Sequence, residues 1–305
     1  MRLAGTLRQM TSSAVPSKVT VAEGEDLLRP SDRVVKVSKS KVAVREFWDE
    51  RSCGEVYTEG STEDEQLQTQ ASARYRLEPY LRPFARFDGA DKDVIEIGVG
   101  MGADHAEWAK SRPRHLVGID FSRRAIQWTE QRLSAADLNS GLAVGDVENL
   151  PFRDSSFDVV YSWGVLHHTP DTQRAFDEAH RVLRPGGDLR VMIYHRPSVV
   201  GLMLWIRYGF LRMRPWISQT DLYSSYLESP GTQGFTVAEA KELVSRFDSI
   251  EVETVVSLGD LLEGEVGQRH RGLALQAAKM IWPRSALRRL PGLGLFMLIK
   301  ARKFS

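Results

Sequence analysis

The feature that most constrains this chain is an alternation. Apolar runs of about five to nine residues lie near 93–98, 115–120, 141–145, 157–162 and 187–195, most of them followed by a stretch of helical period. A strand that returns parallel to its neighbour needs a crossover helix, so the pattern specifies βαβ units in an α/β fold. The helix before the last run has readable ends: Thr169 as N-cap, Pro170 at the first helical position, and Pro185-Gly186-Gly187 beyond its end. It is expected over about 170–184.

The flanks differ from this centre. Residues 1–42 show no sustained apolar period and read as a flexible arm; Arg2, Arg8 and Lys18, with no acid among the first eighteen residues, also have a transit-peptide composition. Val44 to Tyr57 sets aromatics among charges, and Gln68 to Phe87 reads as helical, broken near Pro79 and Pro83. After Tyr194 the spacing predicts an amphipathic helix around Thr236 to Phe247, a strand over Ile250 to Val256, a helical stretch over 271–290 cut by Pro283, and a last strand from Gly294 to Lys300. With 305 residues the chain is one large domain, or a core of about 200 residues with additions.

Composition narrows the function classes. Forty-one Lys and Arg against forty Asp and Glu give a net charge of +1, which lacks the basic excess of nucleic-acid binders. The single cysteine, Cys53, rules out an internal disulfide and a multi-cysteine zinc site and fits a reducing, cytoplasmic compartment, with no metal expected. Val199 to Trp216 is strongly apolar but interrupted by Arg207, Arg212 and Arg214, too short to span a bilayer.

The densest chemical signal is VIEIGVGMGAD, Val94 to Asp104, an apolar strand running through three glycines into a helix. Such a turn lets a ligand approach the backbone and presents unpaired N–H groups. Gly98, Gly100 and Ala103 also satisfy the dinucleotide motif, and a plain tight turn would look the same. Asp120 ends the second strand twenty residues past Gly100, where a carboxylate can accept both hydroxyls of a ribose or cap a helix before Ser122. Asp146 closes the third strand in AVGD; it can accept from an adenine amine while the Val147 N–H donates to a ring nitrogen, or it can cap a turn.

The blocks EIGVGMG, GIDFS, VGDVENLPFRDSSFDVVYSWGVLHH and LRPGG, in this order over about Asp93 to His195, resemble the class I S-adenosylmethionine-dependent methyltransferases, type 11 branch. The resemblance implies a doubly wound, mostly parallel seven-stranded Rossmann-like sheet with the last strand antiparallel. It implies S-adenosyl-L-methionine as cofactor, with Gly98, Gly100 and Gly102 at its amino-acid end, Glu96 supporting that region, Asp120 on the ribose and Asp146 with Val147 on the adenine. Ser162, at the end of the fourth strand, is counted with these cofactor residues.

Methyl transfer asks for in-line approach, exclusion of water and, for some acceptors, removal of a proton. The candidates for that proton are His167, His168 and His195, after the fourth and fifth strands, at the face where open α/β sheets bind ligands. Ser162-Trp163-Gly164-Val165 lacks the Asn-Pro-Pro-Tyr type motif of base-amine methylating relatives, so an oxygen or carbon of a small, lipophilic acceptor is expected. The methyltransferase domain is expected over 43–305, with additions near 196–235 and 258–291 as acceptor lids; weak contact of these with a membrane surface is the second reading. The rivals in function are an NAD-dependent oxidoreductase and a noncatalytic cofactor-binding module.

Overall fold

The computed structural model describes residues 39–263, 280 and 282–304. Most of the expected N-terminal arm, and residues 271–279 and 281 of the helical stretch over 271–290, therefore lie outside the described residues.

Seven strands form one sheet: β1 (Asp93–Ile97), β2 (His115–Asp120), β3 (Gly141–Val144), β4 (Phe157–Trp163), β5 (Leu183–Tyr194), β6 (Asp248–Val255) and β7 (Phe296–Arg302). Their order is β3-β2-β1-β4-β5-β7-β6, with β7 antiparallel to both neighbours. The fold is the doubly wound, mostly parallel seven-stranded Rossmann-like sheet expected. β1 is buried along its whole length because both faces are covered, which is why it reads as a continuous apolar run rather than an alternation. Glu96 interrupts that run.

Chain order reverses between β1 and β4, where Ile97 stands beside Ser162. Connections leave this point in opposite directions and open a crevice at the carboxyl ends of the strands. The first helix on the far side, α4 (Ala103–Lys110), follows the glycine turn; α5 (Arg123–Ala135) is capped by Ser122, whose Oγ accepts from the Ala125 N–H. Before β1 come α1 (Lys39–Glu50), α2 (Glu63–Leu77) and α3 (Leu81–Ala85). α1 begins within the segment expected to be an arm, and Pro83 sits in the first turn of α3, where its missing N–H is tolerated.

One local expectation is corrected. The helix before β5, α6, spans Thr172–Val182 and its N-cap is Asp171, which accepts from the Arg174 N–H at 2.9 Å. Thr169 instead donates its hydroxyl to Glu148, and LRPGG is already strand, paired to β4 across an irregular register. After β5 come α7 (Val199–Leu204), α8 (Gln219–Tyr226) and α9 (Val237–Leu243), the last inside the expected amphipathic helix and capped by Thr236. Among the described residues no helix is long and apolar enough to cross a membrane.

Candidate active site

The crevice opens into a cavity of about 310 Å³, within the range of small-molecule sites. Seven of the residues expected from sequence line it: Glu96, Gly98, Gly100, Asp120, Asp146, Val147 and His168.

At one end is the glycine turn. Gly98 has φ +83°, and a Cβ there would lie 2.0 Å from Cγ2 of Val165, so this glycine permits β1 and the strand-end segment after β4 to pack. Gly100, at φ +55°, has nothing within 4 Å of a Cβ position, and there the turn faces open cavity. Asp120 is held in place by backbone: its Oδ2 accepts from the Gly100 N–H at 3.0 Å and its Oδ1 from the Ser122 N–H at 2.8 Å. Burial pushes its pKa up to about 6, against the lowering effect of these N–H groups.

Glu96 is paired in the interior: His105 Nδ1 lies 2.9 Å from its Oε2, and His105 Nε2 lies 2.7 Å from Ser140 Oγ, which is also 2.9 Å from the Leu116 carbonyl. Burial raises Glu96 well above the usual carboxylate range and lowers His105 to about 3, so both are favoured in their neutral forms. Asp146 meets α1: its Oδ2 accepts from Lys41 Nζ at 2.6 Å and its Oδ1 from the Glu148 N–H at 3.0 Å, with Lys41 also paired to Glu148.

Beside this end sits a buried network that sequence reading missed. Arg74 of α2 grips Asp104 with two bonds, at 3.0 and 2.6 Å, and Tyr75 and Tyr161 donate to the same carboxylate. Burial opposes the charge on Asp104, yet Arg74 keeps its pKa below the usual value. Glu78, 3.5 Å from Arg74, is pushed up to about 7 by burial.

The other end is aromatic. Trp163, Tyr194 and Phe296 line it, with Tyr194 and Phe296 stacked at 5.8 Å. Cys53 is exposed to this space, and the protein around the cavity, then the charge of Glu228, pushes its thiol up to about 12. Tyr194 donates to Glu228 Oε2 at 2.8 Å, and the same oxygen is 3.4 Å from His168 Nε2. His168 Nδ1 lies 2.9 Å from the Ser229 hydroxyl and 3.0 Å from that of Thr232, which itself donates to the Ser229 carbonyl at 2.7 Å. With the ring proton on Nδ1, Nε2 faces the Glu228 carboxylate with a lone pair.

Four expected residues stand elsewhere. Gly102 packs its α-carbon against Thr129, which a Cβ would meet at 2.9 Å. Ser162 is fully buried and donates to the Ile97 carbonyl at 2.9 Å, tying β4 to β1. His167 is buried between His168 and Tyr194, ring centroids 4.2 and 4.0 Å away; among the described residues neither ring nitrogen has a hydrogen-bond partner, and burial holds it neutral. His195 is buried where β5 leaves the sheet, with Nδ1 3.1 Å from the Gly294 carbonyl. None of the four lines the cavity. Val199 to Trp216 contributes nothing to the wall either; of the additions, Glu228 and Leu258 reach it.

A sheet of this order with a glycine turn and two strand-end acids at its switch point defines a class I methyltransferase fold. Residues 95–191 match a family described as a methyltransferase domain. It is 33% identical over 128 residues to a 27-O-demethylrifamycin SV methyltransferase of Amycolatopsis mediterranei (strain S699), covering 41% of this chain and 47% of that protein. It is 34% identical over 117 residues to phthiotriol/phenolphthiotriol dimycocerosates methyltransferase 1 of Mycobacterium ulcerans (strain Agy99), covering 38% of this chain and 42% of that protein. The chain thus spans under half the length of these curated relatives. The geranyl diphosphate C-methyltransferase of Streptomyces coelicolor A3(2), solved with Mg2+, geranyl diphosphate and S-adenosyl-L-homocysteine, superposes with a TM-score of 0.56 at 13% identity, over 88% of this chain and 99% of that one. That likeness is one of fold.

Proposed function

We propose that the chain transfers a methyl group from S-adenosyl-L-methionine to an oxygen or carbon of a small, lipophilic acceptor. The observation that carries this reading is a single cavity joining a polar end, built from Gly100, Asp120 and Asp146, to an aromatic end that contains Glu228 and His168. The polar end fits the cofactor: Gly100 leaves room for close approach, and Asp120 is a half-buried acceptor fixed by two N–H groups. Asp120 would take the ribose, and Asp146 with Val147 the adenine. When bound, the cofactor supplies an electrophilic methyl group. Relatives named for a rifamycin and for phthiotriol lipids support a small or lipophilic acceptor.

In this reading the protein binds, excludes water and takes a proton. Trp163, Tyr194 and Phe296 supply apolar area for the acceptor. The Glu228–His168 pair takes the proton from an acceptor hydroxyl; Tyr194, whose phenol burial keeps protonated, orients Glu228. His168 alone of the three expected histidines has this role. Glu228→Gln keeps the volume and removes the acceptor, and a general base is worth about 10²–10⁴-fold. Turnover with a phenolic acceptor should fall by about 10²-fold, with binding of S-adenosylhomocysteine, measured by calorimetry, unchanged. An unaltered rate removes the base from Glu228. Cofactor binding without product from any acceptor pool makes the chain a noncatalytic module, and preference for NAD in the same titration overturns the whole reading.

A further inference from the structure

The apolar segment read as an acceptor lid has a different place in the molecule. In α7 and the π and 3₁₀ turns after it, Val199, Val200 and Leu204 pack inward. The opposite side is apolar as well: Leu202, Ile206 and Phe210 follow at helical spacing and are 52, 41 and 58% exposed, and Leu211, Met213 and Trp216 continue the surface at 70, 81 and 77%. Single exposed apolar residues mean little, but a contiguous run of this kind marks an interaction surface. Arg207, Arg212 and Arg214 are exposed among them, and Val199 to Trp216 contains no acid, in a chain whose overall charge is only +1.

We infer that this face docks the protein on an anionic lipid surface. A helix with an inward apolar face is complete as a packing element, so the second stripe needs an apolar partner of its own. The basic residues decide which. A second copy of the chain, set on this face by two-fold symmetry, would bring Arg207, Arg212 and Arg214 against the same three residues, which repel. A membrane carrying anionic headgroups accepts both features: the arginines lie at the headgroups and the Leu, Phe, Met and Trp side chains enter the acyl boundary. Tyr208, over which Arg207 and Arg212 both stack at 5.2 and 5.4 Å, holds the cationic groups at one level. The segment lies on the bilayer rather than across it, since no described helix is long and apolar enough to span.

The test is flotation of the full chain with vesicles of phosphatidylcholine and phosphatidylglycerol, beside vesicles of phosphatidylcholine alone. The protein should float with the first at low salt, float poorly with the second, and be released by high salt. Leu211→Ser/Met213→Ser/Trp216→Ser changes only exposed side chains and should lower vesicle affinity by about 100-fold. Arg207→Gln/Arg212→Gln/Arg214→Gln should lower it by about 100-fold on anionic vesicles only. Equal flotation of wild type and either triple variant overturns the inference, as does a wild type that stays unbound. So does a concentration-dependent dimer that the apolar variant disrupts while no vesicle binding is seen. Titration of each preparation with S-adenosylhomocysteine reads the methyl-transfer proposal separately, because none of these residues lines the cavity.

Discussion

Two glycines two residues apart in the turn should fail for opposite reasons when a methyl group is added. At Gly98 the new Cβ would meet the whole Val165 side chain, with Cγ2 at 2.0 Å, Cβ at 2.9 Å and Cγ1 at 3.0 Å, so rotating Val165 does not clear it. Ordinary carbon contacts are about 3.5–4.0 Å, so the segments must part by about 1.5 Å. Left-handed strain at φ +83° adds about 1–2 kcal/mol to the about 1–3 kcal/mol typical of overpacking, and Gly98→Ala should lose about 2–5 kcal/mol of stability. At Gly100 there is nothing within 4 Å, so Gly100→Ala carries only the backbone strain, about 1–2 kcal/mol. Its methyl group instead occupies the cavity, where crowding a bound cofactor by about 1–3 kcal/mol weakens it roughly fivefold to 150-fold. Urea unfolding and calorimetric titration with S-adenosylhomocysteine, on both variants, read the two quantities. If Gly100→Ala binds like wild type, the cofactor does not approach this glycine; if it unfolds as readily as Gly98→Ala, the packing argument is wrong.

Asp120, raised to about 6 by burial, takes up a proton on folding, so its contribution favours the fold at low pH and fades as pH rises through about 6. Its accepting role runs the other way: affinity for S-adenosylhomocysteine should fall about tenfold from pH 7 to pH 5, a slope that calorimetry should find absent in Asp120→Asn. Lys41 already donates to Asp146 Oδ2, and an adenine amine that takes its place there displaces a charge-assisted bond of about 1.5–3 kcal/mol. Lys41→Ala should therefore tighten S-adenosylhomocysteine binding by about tenfold; weaker binding would make Lys41 part of the site. Trp205 is half-buried, packs against the apolar cluster that includes Leu204 and Tyr223, and donates Nε1–H to the Pro215 carbonyl at 3.1 Å, so Trp205→Ala should cost about 2 kcal/mol in urea unfolding. A raised acceptor KM at unchanged stability would restore the lid.

All seven strands were legible: the inner parallel strands because strands covered on both faces are apolar throughout and a crossover helix leaves its own period between them, and the edge strand β6 because its apolar and polar residues alternate. The cap of α6 was not: Thr169 is a good cap by residue type, but Glu148, far from it in sequence, takes its hydroxyl, and Asp171 caps instead. The polar end of the site could be read for a similar local reason, since the turn, Asp120 and Asp146 each stand at a strand end that the sequence marks. Within it, Gly102 and Ser162 carry the right residue types yet serve packing, and only the neighbours Thr129 and Ile97 reveal that.

The aromatic end had no such marker. Glu228 arrives from the segment after α8, outside any block whose spacing signals a site, as does Arg74 beside the polar end, from a helix before the sheet. His167 and His168 are the sharpest case, because adjacent residues of one type carry no sequence signal that separates them. The 3₁₀ turn Leu166–His168 sends the two rings to different environments. His167 is enclosed between aromatic rings and kept neutral, whereas His168 lines the cavity with Nδ1 held by Ser229 and Thr232 and Nε2 toward Glu228. These surroundings come from residues sixty or more positions away, which is why residue type and strand-end position could name the pair without separating the enclosed ring from the one that meets the cavity.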